Sequence, residues 1–162
     1  MRKKLIIPAL AALLLWSSCT ADISNAELRA GYPPIYPDYC GVTVPCNIAP
    51  MHFQMSDNAI QVRVMAEGAD GKSIRVKARE VVTFRISEWK DLLASSTGSG
   101  LQVTVQAKYR DKGWVRYDPF TIYVSPVPMN DFLVYRLIAP GYEVYSKMGI
   151  YQRDLGSFLQ TP

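Results

Sequence analysis

The chain has 162 residues, of which 49% are apolar and 20% are charged, with 18 basic against 14 acidic side chains. This length and composition are typical of one globular domain with short appendages, and they exclude a disordered tail protein, a collagen-like chain and a multi-span membrane protein. The net charge of +4 and the pI near 9.0 would by themselves suggest binding to nucleic acid or to an anionic membrane.

The N-terminus has the three parts of a secretory signal: a basic start at Arg2–Lys4, an apolar run over Leu5–Trp16, and small residues at Ser17 and Ser18. The run is shorter than the roughly 20 residues that cross a bilayer. Cys19 follows directly, in the arrangement of a bacterial lipobox, where the thiol is acylated and the chain is cut before it. We therefore expect residues 1–18 to be removed and Cys19 to be lipidated, with a plain secretory signal as the alternative. The expected location is the cell envelope, as an outer membrane lipoprotein.

Loss of residues 1–18 removes three basic side chains, so the remaining balance is 15 basic against 14 acidic, or +1. Residues 19–58 carry a net charge of −3, residues 59–116 carry +5 and residues 117–162 carry −1. The basic charge is thus confined to the centre of the chain. We expect no nucleic-acid partner and a modest basic face on the folded domain.

Cys40 and Cys46 are the other two cysteines, and five residues separate them. Outside the cytosol they could form a disulfide, but an extended connection would hold them too far apart, so a bend at Gly41 or Pro45 is required. The sequence leaves the disulfide open. A metal site is not expected, because His52 is the one imidazole available, and we interpret His52 as a strand residue at the end of the domain.

Residues 19–50 are rich in proline and tyrosine, as in the segment Tyr32–Tyr39. Because prolines fix φ and remove backbone donors, this part predicts an extended tether whose second half lies along the surface of the domain. A proline-rich docking motif for a partner is the alternative.

Residues 51–162 alternate between apolar and polar side chains almost throughout. Two strands around Val62–Val64 and Ile74–Val76 flank a turn at Gly68–Gly71 and predict a hairpin with one solvated face. A third strand is predicted at Val82, Phe84 and Ile86. Ser87 would then cap a short helix that carries Trp89, Leu92 and Leu93, with Glu88 in its first turn.

Five more strands are predicted after the helix: Leu101–Tyr109, Trp114–Tyr117, Phe120–Val124, Phe132–Ile138 and Tyr145–Tyr151. About eight short strands with one helix indicate an antiparallel β-sandwich of the immunoglobulin or fibronectin kind.

Several segments resemble the N-terminal region of Bacteroidetes TolB-like lipoproteins, which continue into a WD40-like (PD40) β-propeller. The segments that carry the resemblance are Tyr36–Tyr39, Val42–Pro50, Pro119–Val124, Leu133–Ile138, Pro140–Glu143 and Met148–Arg153. Longer relatives also contain a Cys-x-x-Cys-His haem-attachment motif, which this sequence lacks. The resemblance implies an envelope module that works beside a propeller or cytochrome, or the N-terminal part of a longer haem-containing protein.

Catalysis is not expected, because there is one histidine and no Ser-His-Asp set, phosphate loop or paired metal ligands. The aspartates lie at predicted turns, where Asp is common for backbone reasons: Asp57, Asp70, Asp111, Asp118 and Asp131. We also expect no cofactor.

Two functions remain. The first is a structural or interaction domain that docks another envelope protein through exposed strand edges or its C-terminal segment, and the second is a glycan-binding lipoprotein. For glycan binding, the candidate stacking platform is Tyr109, Trp114 and Tyr117, although packing against the core is the simpler interpretation. The tyrosines Tyr135, Tyr142, Tyr145 and Tyr151 are likewise interpreted as packing residues. The outward cations Arg63, Arg75, Lys77 and Arg85 are expected on a solvated face that could also meet acidic headgroups or an acidic partner.

Overall fold

The computed structural model describes residues 26–138 and 148–162, and these form a mainly β structure with thirteen strands and one helix. The prediction of a β-sandwich with one short helix is confirmed. In chain order the first elements are β1 Glu27–Arg29, β2 Ile35–Tyr36, β3 Thr43–Pro45, β4 Phe53–Met55, β5 Gln61–Glu67, β6 Ser73–Ala78, β7 Val81–Val82 and α1 Ile86–Ser95. They are followed by β8 Gly100–Tyr109, β9 Gly113–Tyr117, β10 Phe120–Ser125, β11 Phe132–Leu137, β12 Gly149–Asp154 and β13 Gln160–Thr161.

The largest sheet is built around β8, the longest strand. One side of β8 pairs antiparallel with β5, and β5 pairs in turn with β6. The other side pairs with β9 near Tyr109 and with β10 near Gly100. Beyond these, β1 runs parallel to β9 and β3 runs parallel to β10. The sheet is therefore mixed. Its seven strands occupy five positions side by side, because β9 and β10 share the position next to β8, and β1 and β3 share the position beyond them.

The predicted hairpin is confirmed by β5 and β6. Val62, Val64 and Ala66 are buried on one face of β5 and alternate with half-buried polar or larger residues on the other. The turn closes through a hydrogen bond from the Gly68 N–H to the Lys72 carbonyl (2.8 Å), and Gly71 adopts a φ of +81° that favours glycine. The alternation predicted from the sequence thus gives the observed inward and outward faces.

A second, three-stranded sheet of β2, β4 and β7 shares one hydrophobic core with α1 and the inward face of the large sheet. The core joins Phe53 and Val82 from this sheet with Trp89 and Leu93 from the helix. The other face of the large sheet points away from this core.

The segment expected to be a tether is part of the folded structure from Glu27 onward. It supplies β1, β2 and β3, and both Ile35 and Val44 are buried in the core. The Trp89 indole N–H also donates to the Ile48 carbonyl at 3.2 Å. Proline content indicated an extended chain correctly, but extended chain at a sheet edge can still form ladder pairs and bury its apolar side chains.

The start of the helix differs from the prediction. The strand predicted at Val82, Phe84 and Ile86 corresponds to β7, which ends at Val82. Phe84 is buried outside any strand, and Ile86 is the first residue of α1. Arg85 occupies the N-cap position and makes no capping hydrogen bond from its side chain, so Ser87 is not the cap. Glu88 does lie in the first turn, and Trp89, Leu92 and Leu93 are buried as expected.

Strands β11, β12 and β13 form a separate antiparallel sheet. The last predicted strand was expected from Tyr145, whereas β12 begins at Gly149 and runs to Asp154. Tyr142, Tyr145, the signal segment 1–18 and Cys19 lie outside the described residues.

Candidate functional site

The expected aromatic platform is divided between the two faces of the large sheet. Tyr109 and Tyr117 point inward, and Tyr117 is only 2% exposed. Trp114 lies on the outward face, because it is separated from Tyr117 by an odd number of strand positions. The three residues therefore do not form one surface on which a sugar could stack.

The two inward tyrosines belong to a hydrogen-bonded chain at one end of the core. The Tyr109 hydroxyl lies 2.5 Å from Asp57 Oδ2, to which it donates, and 2.6 Å from the Tyr117 hydroxyl. Arg29 Nη1 donates to the Tyr117 hydroxyl at 3.4 Å, and the Arg29 guanidinium lies 5.7 Å from the centre of that ring. These hydrogen bonds connect β1 and the loop before β5 to β8 and β9.

Burial raises the pKa of Tyr109 well above its usual value, and the hydrogen bonds to Asp57 and Tyr117 add to this effect. The phenol therefore stays protonated and acts as a donor in the chain. Its contacts within the protein explain its position, so we interpret the pair Tyr109 and Tyr117 as structural.

The outward face of the large sheet combines Trp114 with several cations, and we call it the basic face. Its cations on the strands are Arg63, Arg75, Lys77, Lys108 and Arg116. The Arg63 guanidinium lies 3.9 Å from the centre of the Trp114 ring, a cation–π contact that occupies one face of the indole. Arg85 is not on this face. It precedes α1 and pairs with Glu88 at 3.5 Å.

The sheet of β11, β12 and β13 exposes large apolar side chains, and we call it the apolar sheet. Val134 is 61% exposed and Ile150 is 69% exposed, although both are β-branched residues in strands. The other exposed apolar residues on or beside it are Phe132, Leu133, Leu137, Ile138, Phe158 and Leu159. By strand parity Phe132, Val134 and Ile150 lie on one face of this sheet, and Leu133 and Leu137 lie on the other. Large exposed apolar side chains on paired strands are typical of a protein–protein interface.

Tyr135 and Tyr151 face each other across β11 and β12, with ring centres 6.2 Å apart. The Tyr135 hydroxyl donates to Gln160 Oε1 of β13 at 2.5 Å. These two tyrosines are packing residues, as expected, and they hold the three strands together.

The apolar sheet is attached to the body through a few specific contacts. The Ala49 N–H donates to the Leu155 carbonyl at 2.8 Å, and the Asn47 side chain bonds both the N–H and the carbonyl of Met129. A cleft of about 400 Å³ lies at this junction, lined by Cys46, Asn47, Lys90, Asp131, Phe132, Asp154 and Gly156.

Cys40 and Cys46 are free thiols in the structure. Gly41 does provide the bend that a disulfide would need, with a φ of +75°. Burial, with a smaller contribution from Asp38, raises the pKa of the Cys40 thiol to about 12, so Cys40 is held in its protonated, unreactive form.

His52 immediately precedes β4, close to its expected place at a strand end. Its Nδ1 accepts the Phe84 N–H at 3.3 Å, and its ring lies 4.8 Å from that of Phe158. Burial lowers the pKa of His52, which favours the neutral ring that this hydrogen bond requires. Within residues 26–138 and 148–162, no group of three or more His, Cys, Asp or Glu side chains is placed to hold a metal ion.

The same described ranges contain no helix with the length and apolar character needed to cross a membrane.

Comparison with known protein families and with curated proteins gave no match for this chain. Two surfaces are the candidate functional sites, the basic face and the apolar sheet. Sequence reasoning had identified three of the basic residues from their outward parity. It counted β11 and β12 among the strands of the sandwich, and alternation alone does not show whether a second layer covers a strand.

Proposed function

We propose that this protein is a non-catalytic, lipid-anchored domain of the bacterial cell envelope that docks another envelope protein through its apolar sheet. The observation that carries the proposal is the exposure of Val134 and Ile150 on a sheet whose strands are well paired. In water such a sheet is stabilised when a partner covers it.

The resemblance to TolB-like lipoproteins supports one kind of partner, a β-propeller protein or cytochrome of the envelope. If the chain is part of a longer haem-containing propeller protein, the same sheet would pack against that propeller within one molecule. Glycan binding is a weaker candidate, because the platform proposed for it is split between two faces of the large sheet.

Site-specific photocrosslinking in intact cells tests the docking surface. A photoreactive residue at Val134 is expected to crosslink to one envelope protein that contains propeller blades, identified by mass spectrometry. The matched control is Gln54, an exposed residue of β4 in the other small sheet, which is expected to give no such product. The proposal is contradicted if both positions give the same products, or if Val134 crosslinks to a second copy of this chain.

Acylation is tested separately with labelled palmitate. Cys19→Ala is expected to abolish incorporation, whereas Cys46→Ala, the matched control, is expected to retain it. Label that persists in Cys19→Ala would reject the lipid anchor and leave the docking surface to be judged by the crosslinks.

A further inference from the structure

The basic face carries far more positive than negative charge. Its strand positions hold five cations, Arg63, Arg75, Lys77, Lys108 and Arg116, against one acid, Glu67, at the far end of β5. The ion pairs found among the described residues, Lys72 with Asp70 and Arg85 with Glu88, involve none of the five. None of the five therefore forms an ion pair with a carboxylate in the part of the chain that the structure describes.

The strand register aligns three of these cations in one row. Lys77 of β6 is opposite Arg63 of β5, and Arg63 is opposite Gln106 of β8, which is opposite Arg116 of β9. With neighbouring strands about 4.8 Å apart, the row extends about 14 Å across the sheet. The contact with Trp114 holds the Arg63 guanidinium over the indole ring near the middle of this row.

The shape of this face suits a flat anionic surface better than a single small ligand. Two clefts of the described structure lie away from the centre of this face. One is the cleft at the junction with the apolar sheet, and the other, lined by Arg75, Glu88 and Leu92, lies between β6 and α1. Arg63 already covers one face of the Trp114 ring, and a sugar ring cannot stack on that face. The exposed cations of this face, Arg75, Lys77 and Arg116, instead match the headgroups of an anionic bilayer, where each cation near the surface contributes to binding.

The position of β1, the first strand of the described structure, also favours contact between the basic face and a membrane. Leu28 of β1 is opposite Arg116, at the end of the same row, and it is 63% exposed. Seven residues separate Cys19 from Glu27, so an extended connection of eight Cα–Cα steps reaches at most about 28 Å. An acyl chain on Cys19 would therefore keep this edge of the basic face close to the bilayer.

The geometry points to direct contact between the basic face and anionic phospholipid headgroups, so that the domain lies on the bilayer with α1 and the two small sheets away from it. This inference rests on the membrane attachment in the proposed function. It adds an orientation, and a lipid class that the anchor alone would not select.

The test uses the full chain, purified in detergent and reconstituted into phosphatidylcholine vesicles with or without phosphatidylglycerol. Lysines are labelled with an amine-reactive reagent and quantified by mass spectrometry. Lys77 reports the basic face, and Lys90, an exposed residue of α1, is the internal control. We expect labelling of Lys77 to fall several-fold when phosphatidylglycerol is present and to recover at high salt, whereas Lys90 stays unchanged.

The charge requirement is tested with Arg75→Gln combined with Arg116→Gln, two exposed cations of the basic face. This double variant is expected to lose the protection of Lys77. The matched control, Arg136→Gln with Arg153→Gln on the apolar sheet, makes the same change in net charge and is expected to keep it.

Equal labelling of Lys77 in both kinds of vesicle would overturn the inference, and so would equal effects of the two double variants. A soluble acidic polysaccharide that protects Lys77 when anionic vesicles do not would also overturn it. Flotation of the vesicles in a density gradient measures attachment separately. If the protein floats with both kinds of vesicle while Lys77 is labelled equally in both, the lipid anchor is supported and the orientation is rejected. If the protein floats with neither kind of vesicle, both the anchor and the orientation are rejected.

Discussion

At the scale of single residues, the aromatic side chains around the β8–β9 turn show how strand parity separates structural from surface roles. Trp114 and Tyr117 are three positions apart, so one strand must present them on opposite faces. This separation could be read from the sequence. The contact of Tyr109 with Asp57 could not, because the two are 52 residues apart and only the paired strands bring them together.

Tyr109→Phe tests the structural role of the hydrogen-bonded chain. The substitution removes the bonds to Asp57 and Tyr117 and leaves both partners near the core with one bond fewer. We expect the free energy of unfolding in urea to fall by about 1–3 kcal/mol. Tyr123→Phe, at an exposed position of β10, is the matched control and is expected to change it by less than about 0.5 kcal/mol. Equal effects of the two changes would contradict this role.

His52 gives a second prediction at this scale, because it is the one histidine in the chain and its ring signal is unambiguous in NMR. Burial lowers its pKa below 6.5, so the unfolded chain takes up a proton before the folded protein does. The stability contributed by the neutral ring is therefore present above about pH 6.5 and is lost as the pH falls from there through the folded pKa. Titration of the His52 ring in the folded protein is expected to give a midpoint below 6.5.

Phe158→Ala should expose one side of the His52 ring to water and move its pKa back toward 6.5. Leu159→Ala, one position further along the chain and already exposed, is the control and should leave the pKa unchanged. If both substitutions leave the titration midpoint where it is in the wild type, the ring contact does not cause the shift.

At the scale of elements, the sequence predicted those that local patterns determine. The hairpin of β5 and β6, strands β8 to β11 and the buried face of α1 all follow from the spacing of apolar side chains and from turn residues. Strands β1, β2 and β3 were not predicted, because each is two or three residues long and two of them pair parallel to distant strands. Such pairings depend on the tertiary arrangement and leave little local pattern.

The N-terminus of α1 supplies a prediction about capping. Arg85 is the N-cap residue, and Glu88 lies three positions later. Arg85→Ser would complete a capping box with Glu88, in which each side chain accepts a bond from a free backbone N–H of the first turn. We expect the free energy of unfolding to rise by about 0.5–1 kcal/mol, because the exposed ion pair that is lost contributes little.

Ser87→Ala is the matched control for this cap. Since Ser87 lies inside the first turn, its removal is expected to change the free energy of unfolding by less than about 0.5 kcal/mol. If Ser87→Ala lowers the free energy of unfolding by about 1 kcal/mol or more, Ser87 is the N-cap, as the sequence predicted.

At the scale of the whole molecule, the charged and apolar surfaces lie in different places. The basic face lies on the large sheet, whereas exposed apolar side chains are concentrated on and beside β11 and β12. The net charge of the chain hides this separation, because acidic side chains before residue 59 and after residue 116 offset the basic centre. Two different surfaces on one domain are suited to two simultaneous contacts, a membrane on one side and a protein partner on another.

The apolar sheet contributes either to folding or to docking, and truncation of Ile150 distinguishes the two roles. Ile150 is 69% exposed, so Ile150→Ala is expected to change the free energy of unfolding by less than about 0.5 kcal/mol. Leu101→Ala, a comparable truncation at a fully buried position of β8, is the matched control and should cost about 2–5 kcal/mol. In cells, Val134→Lys combined with Ile150→Lys should abolish crosslinking from a photoreactive residue at Gln152, which is opposite Val134 on the same face of the sheet, while the protein stays folded. A large loss of stability in Ile150→Ala would instead mean that another part of the chain already covers this sheet.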